Sequence, residues 1–142
     1  MTRINVVPPE ELSDQHLLAE YHELPRCIKQ NINIDDEVPA HYILGKGHMK
    51  WAKMHSLWLT YRYEQLIREM KYRGFNPNYT TLMLQDYWIN EQHLSGNLWY
   101  HVTIPDIMLN RGRLIYKYSQ RPSFYKWTNR EKPDYYPSLT IN

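Results

Sequence analysis

Apolar residues recur at helical spacing in three stretches of the chain. In the first, Leu17, Leu18, Tyr21 and Leu24 form a 3.6-residue stripe. Pro8 and Pro9 followed by Glu10 and Glu11 mark its start, because proline suits a first helical turn and acids suit the positive end of the helix dipole; Ser13 is an alternative N-cap. Pro25, which lacks an N–H, is expected to kink or end this helix. In the second stretch, Leu59, Tyr63, Leu66, Ile67 and Met70 mark the buried face of a long helix from about Met49 to Arg73, with Gly74 as its C′ stop. The third helix is expected from Pro105–Asp106 to about Ser119, with Ile107, Arg111, Leu114, Ile115 and Tyr118 in register. Gly112 weakens it by up to ~1 kcal/mol relative to alanine, and Pro122 ends it.

The intervening segments are less regular. "INVV" reads as short and extended, residues 28–42 as a connection rich in Asn, Asp and Pro, and "LGKGH" as a tight turn allowed by two glycines. "TTLMLQDYWI" fits a strand or a helix equally, and the sequence leaves that region open. "SFYKWTNREKPDYYPSLTIN" is an aromatic, proline-containing tail. The expected architecture is all-α: one compact domain over residues 1–142, with three principal helices, irregular loops and an aromatic C-terminal tail.

Charge adds a local feature to this picture. The chain has 142 residues with 17 Lys plus Arg against 15 Asp plus Glu, a formal charge of only +2. Yet Arg111, Arg113, Lys117, Arg121, Lys126, Arg130 and Lys132 crowd one stretch whose sole acid is Glu131. On its own such a run reads as a solvated helix face plus tail. The single cysteine, Cys27, rules out an internal disulfide and, lacking an adjacent base, reads as a quiet semi-buried thiol. "MTRINVVPPEE" has no apolar signal region, and no stretch approaches the ~20 apolar residues of a membrane span. A soluble, intracellular (cytoplasmic) protein with no membrane partner is therefore expected.

Motif chemistry is sparse. His16, Glu20 and Glu23 lie at i,i+4 and i,i+3 spacing on the first helix, a donor set for a divalent metal in a nuclease. The pattern is weak, no second ligand cluster accompanies it, and an exposed, salt-bridged face explains it better. His41, His48 and His55 repeat every seven residues, but Gly45 and Gly47 interrupt the first interval, and the spacing reads as coincidence. No P-loop, GxSxG, HExxH or CxxC is present.

Several blocks carry a resemblance. "MTRIN", "DQHLLAEYHELPR", "ILGKGHMKW" running into "YRYEQLIREMKYRGFN", and "QRPSFYKW" resemble, in order and spacing, the pyrimidine-dimer DNA glycosylase/AP lyase family of the phage endonuclease V type. The matching blocks are roughly residues 1–27, 42–75 and 105–128. The resemblance implies a compact helical monomer. It acts on duplex DNA containing cyclobutane pyrimidine dimers or abasic sites, with no metal and no cofactor. It cuts the glycosidic bond and then nicks the strand, using the α-amine exposed when the initiator Met is removed.

In this chain that amine belongs to Thr2, a residue small enough for Met1 to be trimmed. An α-amine has a pKa of about 7.7–8.0 against about 10.4 for lysine, so about a quarter of it is neutral near pH 7.4, against about 0.1% of an ordinary lysine. Glu23 matches the family's catalytic carboxylate. Arg3 and Arg26 match positions that hold phosphates, Gln15 and His16 match active-site polar residues, and Arg113 and Lys117 fall four apart on the third helix, where they would anchor the DNA backbone. Arg121 and Lys126 are further candidate DNA contacts, and Phe124, Tyr125 and Trp127 would either stack beside kinked DNA or strap the tail to the core. His22 stands where the family commonly has arginine, so a weaker or more pH-dependent phosphate contact is expected there. "KWAKMH", the short connection at 28–41 and residues 76–104 depart from the family. Two rival readings are a metal-dependent endonuclease using His16, Glu20 and Glu23, and a non-catalytic DNA-bending protein.

Overall fold

A computed structural model describes residues 3–29, 37–80 and 99–137. Among the described residues there are four α-helices and no strand: α1 (Asp14–Lys29), α2 (His48–Met54), α3 (Ser56–Tyr72) and α4 (Ile104–Gln120). Short 3-10 turns span Pro9–Glu11 and Pro122–Phe124. The all-α expectation holds. Most of the stretch whose type was open, residues 81–98, lies outside the described residues, as do residues 30–36 of the connection.

Three boundaries differ from expectation. Pro8 and Pro9 open only the 3-10 turn, and α1 begins after Ser13, whose Oγ accepts the His16 N–H at 3.1 Å as an N-cap does. Pro25 sits inside α1, which continues to Lys29. Leu24 and Cys27 on either side of it are fully buried, and this tertiary packing holds the turn despite the missing N–H. The long middle helix is broken at His55 (φ −104°, ψ 47°), where the His55 N–H closes a tighter turn onto the Ala52 carbonyl at 3.1 Å. Gly74 is the stop the sequence marked: at φ 91° it donates to the Lys71 carbonyl while Phe75 reaches back to Met70, a Schellman motif.

α1 packs on both α2 and α3, and Leu17, Tyr21 and Leu24 meet Trp51, Leu59, Tyr63, Leu66 and Met70 in one core. Each such side chain contributes roughly 1.5–3 kcal/mol by leaving water. Leu114 and Tyr118 bring α4 into the same cluster, and Thr103 and Asp106 form a capping box that fixes where α4 starts.

The tail is a strap across the start of α1. The Lys126 carbonyl accepts the Asp14 N–H at 2.7 Å, Thr128 donates its N–H and Oγ1 to the Asp14 carboxylate, and Trp127 Nε1 donates to the Glu11 carbonyl at 3.0 Å. Arg73, its side chain fully buried, ties this corner to the end of α3. It donates to Asp14 at 2.9 Å, to Glu69 at 2.8 Å and to the Pro9 carbonyl at 3.2 Å.

Candidate active site and nucleic-acid interface

The N-terminal segment runs through the core without joining a sheet, so its backbone groups need side-chain partners. Ile4, Asn5, Val6 and Val7 are buried. Asn110 of α4 accepts the N–H groups of Val6 (2.7 Å) and Val7 (3.0 Å) on one oxygen, and Arg62 of α3 donates to the Val7 carbonyl at 2.6 Å. His48 Nε2 accepts the Ile4 N–H at 2.9 Å, and the Tyr42 hydroxyl donates to the Ile4 carbonyl at 2.9 Å. The Asn5 amide donates to Glu20 at 2.8 Å and accepts from Asn110 at 2.8 Å. Thr2, the expected nucleophile, lies outside the described residues, one position before the half-buried Arg3.

Two glutamates of α1 have different fates. Glu20 is fully buried, with Arg62 Nε on one oxygen at 2.7 Å and Arg62 Nη2 and Asn5 on the other at 3.0 and 2.8 Å. Its lone pairs are committed, which dismantles the His16–Glu20–Glu23 donor set and also removes Glu20 from the exposed face the spacing suggested. Among the described residues no group of three or more His, Cys, Asp or Glu is arranged to hold a metal ion. Glu23, one turn further along, keeps 15% of its side chain exposed and pairs loosely with Arg26, at 3.7 Å and 78% exposed.

His16, in the first turn of α1, has its ring stacked on Tyr125 at 4.6 Å and its Nδ1 2.9 Å from Ser13 Oγ. Burial, then the positive charges of Arg113 and Lys117, push its pKa down to about 4, so it is neutral at ordinary pH. Arg113 is itself held below the usual guanidinium range by burial and by Arg3. The field of Arg3 also reaches His48 and Cys27. Arg3, His16, Arg113 and Lys117 thus share one electrostatic neighbourhood although 114 positions separate the first from the last.

The other sequence candidates are placed as follows. Gln15 accepts the Lys126 N–H at 3.0 Å, and so secures the tail. His22 is exposed, its ring edge against Tyr21. Arg121 and Lys126 are exposed, with the Arg121 guanidinium 4.3 Å above the Phe124 ring. Trp127 packs against Tyr118 and Tyr136, which makes it part of the strap, whereas Phe124 is 39% exposed.

The basic run divides in two. Arg111 pairs with Glu11 at 2.9 Å and Arg130 with Glu69 at 2.8 Å, so these two cations serve the fold. Cys27 is the quiet thiol expected: buried, against the Met49 sulfur at 3.3 Å, its pKa pushed up to about 12 by burial and by Glu23 and Glu20.

The residues alone gave no sign of a second basic feature. An open groove of about 900 Å³ adjoins Arg3 and is walled by Lys46, Lys50, Gly45, Gly47, Met49 and Pro39. Gly45 and Gly47 both have positive φ, and a Cβ on Gly47 would come within 2.8 Å of Pro39. The heptad of histidines also resolves: His41 is exposed in the loop, while His48 and His55 both pack on Trp51, at 5.8 and 5.6 Å.

A side-chain-clamped N-terminal segment, a partly exposed carboxylate and a set of cations near Arg3 lie together in a small helical protein. The family model of the pyrimidine dimer DNA glycosylases matches residues 1–83, more than half of the chain, and the chain belongs to that family. DNA carrying pyrimidine dimers is the substrate this membership implies. The matched span holds Arg3, Gln15, His16, His22, Glu23, Arg26 and the groove lysines, and it stops before α4. Among the described residues no helix is long and apolar enough to cross a membrane.

Proposed function

We propose that this glycosylase excises cyclobutane pyrimidine dimers through an imine and then acts as an AP lyase, as a monomer that needs neither metal nor cofactor. With Met1 removed, the neutral α-amine of Thr2 attacks C1′ of the 5′ nucleotide of the dimer. The new C–N bond displaces the base, which leaves with the glycosidic electron pair and stays tethered to its neighbour through the cyclobutane. Opening of the sugar ring gives the imine. The imine acidifies the C2′ proton, and its loss expels the 3′ phosphate by breaking the C3′–O bond.

Glu23 stabilises the cationic sugar and moves protons during ring opening and elimination. The observation that carries this assignment is the contrast on α1: the Glu20 carboxylate is consumed by Arg62 and Asn5, while Glu23 stays partly exposed in a loose ion pair with Arg26. Arg3, Arg26, Arg113 and Lys117 hold phosphates around the lesion. Arg3 and Arg113 lie in each other's field, which suits them to share an anionic backbone, and such contacts position DNA without reading sequence. His16 contributes a neutral hydrogen-bonding ring, Gln15 sets the tail, and His22, Arg121 and Lys126 give weaker outer contacts. Abasic duplex is a second substrate, because it enters the same pathway after base loss.

The test is incubation with ultraviolet-irradiated or abasic duplex in EDTA, followed by borohydride. A trapped covalent complex is expected from protein confirmed by mass spectrometry to begin at Thr2. Cleavage that EDTA abolishes would favour a metal-dependent nuclease, and binding without an adduct would favour a DNA-bending protein; either result overturns the imine reading.

A further inference from the structure

We infer that His48, assisted by Tyr42, is a positioning residue for the reaction: it fixes the register of the N-terminal segment so that the amine of Thr2 is delivered to C1′. The inference rests on the imine reading above and assigns the residue that aims the nucleophile.

The geometry begins with the ring's two nitrogens. The Ile43 carbonyl, 2.7 Å from Nδ1, can only accept, so Nδ1 carries the proton. Nε2 then offers a lone pair, which the Ile4 N–H fills at 2.9 Å. A single tautomer satisfies both contacts, and only while the ring is neutral. Burial favours that state, and Arg3 and Arg113 reinforce it. Tyr42 holds the other side of the same residue through the Ile4 carbonyl. Its own N–H donates to the Tyr100 hydroxyl at 2.8 Å, which donates to Asp106 at 2.6 Å in the capping box of α4. Ile4 is thus gripped on both backbone groups, by elements anchored to α2 and to the helix that carries Arg113 and Lys117.

Among the described residues Ile4 is the one nearest Thr2 whose backbone N–H and carbonyl both meet side chains from distant elements, and the Arg3 carbonyl beside it accepts from Asn5 at 3.5 Å. Two residues of chain, about 7 Å at full stretch, separate the Ile4 nitrogen from that of Thr2. Asn110 and Arg62 act further along, on Val6 and Val7, so losing the Ile4 N–H contact loosens the end of the segment nearest Thr2 while Val6 and Val7 stay docked. Orientation of a nucleophile is worth much of the barrier, and a displacement of about 1 Å costs on the order of 10²-fold in rate.

The experiment compares wild type, His48→Ala, His48→Gln and Tyr42→Phe, each confirmed to start at Thr2. Two quantities are measured: the single-turnover rate of borohydride trapping on an abasic duplex, and the Kd for a duplex carrying a tetrahydrofuran abasic analogue, which cannot form an imine. For His48→Ala the trapping rate is expected to fall on the order of 10²-fold with Kd within about twofold. His48→Gln, whose oxygen can accept from Ile4 and whose nitrogen can donate to Ile43, is expected to recover part of the rate, and Tyr42→Phe to lose roughly tenfold. Should His48→Ala fail to fold, the Gln and Phe variants, which keep most of the volume, decide. Wild-type trapping with unchanged rates in the folded variants overturns this inference alone, as does a loss of rate matched by an equal loss of affinity. No adduct from wild type overturns the imine reading, and this one with it.

Discussion

Glu20 and Glu23 sit one turn apart on the same helix and are interchangeable as letters. Glu20 is sealed under the N-terminal segment with Arg62 locked onto both its oxygens, and Glu23 keeps part of its side chain exposed beside a mostly exposed arginine. Their difference is set by what lies opposite: α3 and Asn5 for Glu20, the exposed Arg26 for the partly exposed Glu23. A carboxylate surrounded by donors becomes part of the scaffold, and one left at an edge is available for chemistry. A buried ion pair need not stabilise a fold relative to apolar side chains of the same volume, but once built it cannot lose one partner cheaply.

Substitution separates the two roles. Glu20→Ala strands the Arg62 guanidinium in the core and is expected to cost about 3–5 kcal/mol, read as a lowered denaturant midpoint. Glu23→Gln is expected to unfold within about 0.5 kcal/mol of wild type, to bind dimer-containing DNA normally, and to lose about 10²–10⁴-fold in strand cleavage. Equal stability losses in the two variants would erase the distinction.

The next effect is pH-dependent. His16 and His48 both have pKa values pushed down to about 4 from 6.5, so between these limits the unfolded chain binds more protons than the folded one. Stability is complete above about pH 6.5 and is lost as pH falls towards 4, by up to about 1.4 kcal/mol per pH unit for each ring. Replacing either histidine with glutamine should flatten that slope in acid titrations followed by circular dichroism.

Smaller again are the surface cations, which repeat the comparison of the glutamates. Removing Arg113 or Lys117 is expected to weaken DNA binding uniformly and to lower the salt slope of log K by about one each. Removing Arg111 or Arg130, engaged with Glu11 and Glu69, should leave that slope unchanged. His22→Arg should tighten binding modestly at pH 8; an unchanged affinity would mean that position 22 touches no phosphate.

The helices were legible because each buries one stripe, and a stripe leaves a period in the sequence. Pro25 and His55 escaped that reading because packing by Leu24, Cys27 and Trp51 overrides local preference at both. Arg3 stood out only through the family resemblance, and Glu23, Arg113 and Lys117, visible in a weak donor pattern and a basic run, took their expected roles from it, since such spacing also fits solvated residues. Asn110, Arg62 and His48 stayed hidden for another reason. Their backbone partners lie 104, 55 and 44 positions away, and an amide, a guanidinium or an imidazole carries no local mark of a backbone group it will meet across the fold.

The Asn110 contact also imposes an order in time. The N-terminal segment leaves the ribosome first, yet the oxygen that holds Val6 and Val7 is translated more than a hundred codons later, after roughly 5–20 s at ordinary elongation rates. Until then the segment has no complete seat. A truncated or half-made chain therefore lacks the contact that seats Val6 and Val7, and the N-terminal segment is fully docked only once the polypeptide has been carried through to α4.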